Sequence, residues 1–116
     1  MTASLRIGSI ALLVALLAPA SPPAQEPRVV EIRARRFEFT PNVVTLRKDE
    51  PVVLRLRTDD FTHGLYMKEL GIDSEFAPGK AVDVPLTPRK AGRYSVICDH
   101  FCGSGHGNMK MTIVVE

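Results

Sequence analysis

The chain has 116 residues, with 15 basic and 13 acidic side chains and a formal net charge of +2. That length supports one small domain with a modest core. So even a charge balance lacks the basic excess that phosphate backbones require, which argues against nucleic acid as a partner and leaves a local docking patch open.

Met1–Arg6 carries a single positive charge, and Ile7–Ala20 is almost wholly apolar. Ala18-Pro19-Ala20 and Ala24 offer small residues for cleavage. Residues 1–20 therefore read as a secretory signal, which places the mature protein in the periplasm or outside the cell. The apolar run falls short of the ~20 residues that cross a bilayer comfortably, so a retained membrane anchor is the less favoured alternative. No cysteine lies near the cleavage region, which excludes a lipid-modified cysteine. Ser21–Pro27 holds three prolines, which resist helix and sheet alike, and reads as a linker. The folded domain is expected over residues 28–116.

From there the pattern is all-β. Val30 and Ile32 alternate with Glu31 and Arg33, Phe37 and Phe39 flank Glu38, and Val44 and Leu46 follow Pro41-Asn42. Val52, Leu54 and Leu56 alternate with Arg55 and Arg57, as in a half-buried strand. Val82, Val84 and Leu86 form a further candidate, closed by Pro85 and Pro88. Tyr94, Val96 and Cys98 share a face, and Met109, Met111, Ile113 and Val115 form the last inward row. Lys48-Asp49-Glu50-Pro51, Pro78-Gly79 and Lys90-Ala91-Gly92 are turn signals between these runs. Short strands so punctuated predict a β-sandwich or barrel. Lys68–Phe76 is undecided, with room for a helical turn. Met67 and Met111 are assigned to core packing, and Tyr94 to a Greek-key corner. Arg33, Arg35 and Arg36 are assigned to a solvated strand face.

Chemistry concentrates in Cys98-Asp-His-Phe-Cys102-Gly-Ser-Gly-His106-Gly-Asn-Met109. Both cysteines of the chain are here, with two of its three histidines; the third, His63, lies upstream. Thiol, imidazole and thioether together favour copper over hard cations. Two cysteines in an exported protein also permit a disulfide, but so short a loop gains little from cross-linking. The metal-free protein is nonetheless expected to be prone to that disulfide. In an extended chain the two cysteine α-carbons would stand ~13 Å apart, at ~3.4 Å per residue. Shared coordination therefore requires a folded loop, for which Gly103, Gly105 and Gly107 supply freedom.

The loop resembles that of the binuclear copper-A (CuA) domain of cytochrome c oxidase subunit II, a cupredoxin. That pattern, Cys-x-x-x-Cys-Gly-x-x-His-x-x-Met, is matched at every fixed position from Cys98 to Met109. Asp60-Phe61-Thr62-His63-Gly64, then Glu69-Leu70-Gly71-Ile72 and Pro78-Gly79, are similar to the family's upstream histidine region. The resemblance implies a Greek-key cupredoxin fold, with Cys98 and Cys102 bridging two copper ions. It implies further that His63 and His106 each bind one ion, with Met109 as a weak axial ligand. The opposing weak ligand would be the main-chain carbonyl of His100. The family usually has Glu at that position, so here an extra imidazole lies beside the metals. Leu65, Phe61 and Phe101 are candidates for an apolar collar.

This set implies an electron carrier, free or as a minimal oxidase subunit, and not an enzyme in itself. Its expected partner is a c-type cytochrome or a terminal oxidase; a membrane enters only if the N-terminal segment is retained. The alternatives are a mononuclear blue-copper carrier, which leaves one thiol unexplained, and a periplasmic copper chaperone. A structural zinc site of two cysteines and two histidines ranks below these.

Overall fold

The structure, a computed structural model, describes residues 2–5, 7–17 and 26–116. The expected cleavage positions at residues 18–20 and 24, and most of the expected linker, lie outside those residues. Residues 2–5 and 7–17 hold neither helix nor strand. Among the described residues no helix is long and apolar enough to cross a membrane.

Nine strands follow: β1 (Arg28–Arg35), β2 (Glu38–Thr40), β3 (Val43–Leu46), β4 (Val52–Thr58), β5 (His63–Met67), β6 (Ile72–Phe76), β7 (Val82–Leu86), β8 (Gly92–Ile97) and β9 (Lys110–Val115). They form two sheets, one ordered β2-β1-β4-β7 and the other β3-β9-β8-β5-β6. The β1–β4 and β3–β9 pairs are parallel, and the remaining pairs are antiparallel. The expected all-β sandwich is therefore the one that forms.

Side-chain alternation explains why the sheets face each other. Ile32 and Ala34 of β1, with Val52, Leu54 and Leu56 of β4, point inward from the first sheet. Val44 and Leu46 of β3, Val96 of β8, and Met111, Ile113 and Val115 of β9 meet them from the second. Arg33, Arg35, Arg55 and Arg57 occupy the outward positions and pair with Glu31, Glu38, Asp59 and Asp83. Strands with one wet face need this period of two.

Three local readings are refined. The undecided Lys68–Phe76 segment holds a single 3-10 turn, Lys68–Leu70, and then β6. Gly71 ends that turn at φ 68°, where its N–H reaches the Lys68 carbonyl; a side chain there would be strained. β7 runs through Pro85 instead of stopping at it. It can do so because β7 is an edge strand, where a missing N–H leaves no ladder bond broken. The Tyr94 hydroxyl donates to the Lys90 carbonyl at 2.7 Å, the corner expected of that tyrosine.

Candidate metal centre

The centre forms at one end of the sandwich, where three connections meet: β1–β2, β4–β5 and β8–β9. Cys98 directly follows β8, and Met109 directly precedes β9. The Cys98 N–H donates to the Met109 carbonyl at 3.0 Å, which closes the base of the loop. Within the loop a second 3-10 turn, His106–Asn108, is wound by His106 N–H to Gly103 O and Met109 N–H to His106 O, both 3.1 Å. This winding brings residues distant in an extended chain onto one point. Cys102 Sγ lies 3.8 Å from His106 Nδ1 and 3.8 Å from Met109 Sδ.

The upstream arm meets the same point. His63 opens β5 and is fully buried, with its Nδ1 4.0 Å from Cys98 Sγ. The ligand atoms of His63, Cys98 and Cys102 all lie within 4.8 Å of one another. Both thiols are buried and unbridged. Gly64 follows His63, and its N–H points at Cys98 Sγ at 3.4 Å. A Cβ on Gly64 would strike the Asp99 carboxylate and stand 3.1 Å from the His100 amide. The absence of a side chain thus lets β5 approach the loop.

Asp60 fixes how His63 presents itself. One carboxylate oxygen accepts from His63 Nε2 at 2.8 Å and from the Phe61 N–H at 2.6 Å; the other accepts from the Arg36 N–H at 2.7 Å. Nε2 therefore carries the proton, and the Nδ1 lone pair faces the sulfurs. An outer carboxylate of this kind orients a ligating imidazole and raises its basicity. Partial burial opposes ionisation of Asp60, but the hydrogen bonds from Arg36, His63 and Phe61 outweigh it and hold the carboxyl at about 2. Burial pushes the Cys102 thiol up, and the neighbouring Cys98 adds to the rise. A metal bound by that sulfur at neutral pH would therefore displace a proton from it.

His100 presents its main chain to the site. Its carbonyl oxygen lies 3.4 Å from Cys98 Sγ, while its ring turns toward Glu75 of β6, with Nε2 3.4 Å from the carboxylate. Of the three collar candidates, only Leu65 is buried. Phe61 is 45% exposed, and Phe101 is 75% exposed with its ring 5.8 Å from that of His106. These two rings lie beside the ligand loop at the domain end, with Cys102 and Gly103, and are partly open to solvent because no opposing sheet covers them.

Two contributors were missed by sequence reasoning. Asp60 has no role in the sequence reading, and its place three residues before His63 is the signal that points to one. Arg36 was assigned to a solvated strand face along with Arg33 and Arg35. All three are exposed, and Arg33 and Arg35 are ion-paired, but Arg36 lies past the end of β1 and also reaches the loop: its Nε donates to the Cys102 carbonyl at 2.7 Å. The adjoining Phe37 ring covers Gly103 and Gly105 of the loop. A Cβ at Gly105 would stand 2.5 Å from that ring. Gly105→Ala is expected to shift the loop and cost about 1–3 kcal/mol by overpacking. The check is thermal unfolding, which should show Tm lowered by at least about 4 °C for a domain of this size.

Residues 7–115 match the family model described as a cupredoxin-like domain. The chain belongs to the cupredoxin-like family. This cupredoxin is 33% identical over 87 residues to cytochrome c oxidase subunit 2 of Thermus thermophilus, a match covering 75% of this chain and 64% of that one. A second Thermus thermophilus subunit 2 is also 33% identical, with 52% of its length covered. The match thus spans between half and two thirds of these relatives. Among solved structures, the periplasmic domain of subunit II of cytochrome oxidase from Bradyrhizobium japonicum superposes with a TM-score of 0.71 at 14% identity, covering 77% of this chain and 83% of that one. Auracyanin A, a blue copper protein from Chloroflexus aurantiacus, superposes at 0.62 with 16% identity, covering 78% and 100%. At such identities both likenesses establish the fold alone.

Proposed function

We propose that this cupredoxin carries electrons through a binuclear copper centre of the CuA type. The observation that supports this most is the second thiol. A mononuclear blue-copper site is complete with one cysteine, two histidines and a methionine. Here Cys98 and Cys102 both face His63 in a single buried cluster. Two soft sulfurs, two imidazoles, a thioether and a main-chain carbonyl fit two copper ions by donor chemistry.

In this reading Cys98 and Cys102 would hold the ions through their thiolates, and His63 and His106 would supply the imidazole ligands. Met109 and the His100 carbonyl are the weak ones. Bound copper supplies the one-electron couple. The protein supplies a rigid frame, in which strands β8 and β9 hold both ends of the loop and Asp60 holds the His63 ring. Ligands so fixed would change little between redox states, which suits rapid electron exchange. The work is electron carriage, not catalysis.

Residues 28–116 are the working domain, residues 1–20 an export segment and residues 21–27 a tether. The relatives are oxidase subunits, and one solved neighbour is a periplasmic domain. A periplasmic location, with a c-type cytochrome or terminal oxidase as redox partner, follows from the same proposal.

The deciding experiment is copper reconstitution of the protein, followed by metal analysis and electron paramagnetic resonance. The expected result is two coppers per chain and a purple mixed-valence species whose unpaired electron couples equally to both nuclei. Uptake should also release protons, read by a pH indicator, because the Cys102 thiol is protonated beforehand. A hyperfine pattern from one copper nucleus would replace this reading with the blue-copper one. Exclusive binding of Cu(I), readily exchanged, would replace it with the chaperone.

A further inference from the structure

We propose that Arg36 is a positioning residue for the metal centre: its guanidinium latches the Cys102 end of the ligand loop onto the β1–β2 turn, and its charge raises the centre's reduction potential. The latch stands on geometry in the protein alone; the potential rests on the binuclear reading given above.

Three contacts converge on this one residue. Its main-chain N–H donates to Asp60 Oδ2 at 2.7 Å, and Asp60 in turn holds His63. Its Nε donates to the Cys102 carbonyl at 2.7 Å in a partly buried bond. Its guanidinium carbon stands 3.4 Å from the centre of the Phe61 ring, in the cation–π arrangement. The backbone of Arg36 thus steadies the His63 arm while its side chain steadies the Cys102 arm. The next residue, Phe37, packs over Gly103 and Gly105 of the same loop. No other side chain donates to the Cys102 carbonyl among the described residues. Arginine suits the task because one planar group can stack on a ring and donate in its own plane. Lysine offers a comparable charge without that planar fork.

The electrostatic sign follows from the redox change. The oxidised centre carries one more positive charge than the reduced one. A fixed cation beside it disfavours the oxidised state and raises the potential, although contact with solvent screens the effect.

The test compares Arg36→Met and Arg36→Lys with the wild-type protein. In metal-free protein, Arg36→Met should speed amide hydrogen exchange across residues 102–109 and leave β4 and β9 unchanged. After copper loading it should bind metal roughly 10–100-fold more weakly, as for lost outer-sphere partners, and show a lower midpoint potential. Arg36→Lys should keep a potential near wild type while still losing loop protection. Unchanged loop exchange in Arg36→Met overturns the latch. A potential in Arg36→Lys as low as in Arg36→Met, or no fall in either, overturns the electrostatic role. Should Arg36→Met fail to fold, loop exchange in Arg36→Lys decides the latch in its place. Failure of wild-type protein to load two coppers refutes the binuclear reading and with it the potential claim, and the exchange result still decides the latch.

Discussion

Cys102→Ser is expected to abolish the copper pair while leaving the sandwich folded. A serine hydroxyl stays protonated at neutral pH and is a hard oxygen donor, so it cannot replace a bridging thiolate for a soft metal. Copper content should fall from a pair to at most a single ion, and the mixed-valence spectrum should vanish. The fold should survive because Cys102, although it packs against the end of the core, sits in the loop, whereas most of the core belongs to the strands of the two sheets. A buried hydroxyl costs about 1–3 kcal/mol if it finds no partner, and here it lies beside the ring of His106. Metal-free Cys102→Ser should therefore melt within about 10 °C of the metal-free parent. Persistence of a two-copper spectrum would refute the bridging role. Global unfolding, seen by circular dichroism, would favour the structural zinc reading.

The second large effect is expected at Asp60. Its carboxyl is held at about 2 in the folded protein, below the usual 3.8. Depressed in this way, it stabilises the fold at all pH values above the unfolded-state range, and the contribution is lost as pH falls from about 4 toward about 2. The shift corresponds to about 2 kcal/mol at neutral pH. Asp60→Asn should remove at least that much, because an amide has one acceptor oxygen where three donors converge: Arg36 N–H, Phe61 N–H and His63 Nε2. Urea unfolding of the metal-free protein is the check. Wild type should weaken between about pH 4 and about pH 2, and the variant should lack that component. With the His63 ring no longer oriented, copper affinity should also fall roughly 10–100-fold. A variant that matches wild type in both acid sensitivity and copper affinity would show that Asp60 is only a surface carboxylate.

Much of the fold could be read from alternation. Val52, Leu54 and Leu56 declared an inward row, as did Met111, Ile113 and Val115, because period-two burial is a local property of a strand. Tyr94 was legible from its place after a glycine turn. Pro85 was not: whether proline ends a strand depends on whether that strand lies at a sheet edge, and edge position is decided by pairing with β4. The exposure of Phe101 was equally hidden. An aromatic residue in a loop looks the same in sequence whether or not an opposing sheet covers it.

The sequence by itself determined the strand rows, the single small domain and the donor types gathered between Cys98 and Met109. These depend on residues within a few positions of one another. Only the tertiary structure decided how closely His63 approaches the thiols, that the His100 ring turns to Glu75, and that Arg36 grips Cys102 from 66 positions away. Such contacts depend on how two sheets stack and which loops share an end. Spacing along the chain carries no record of that distance.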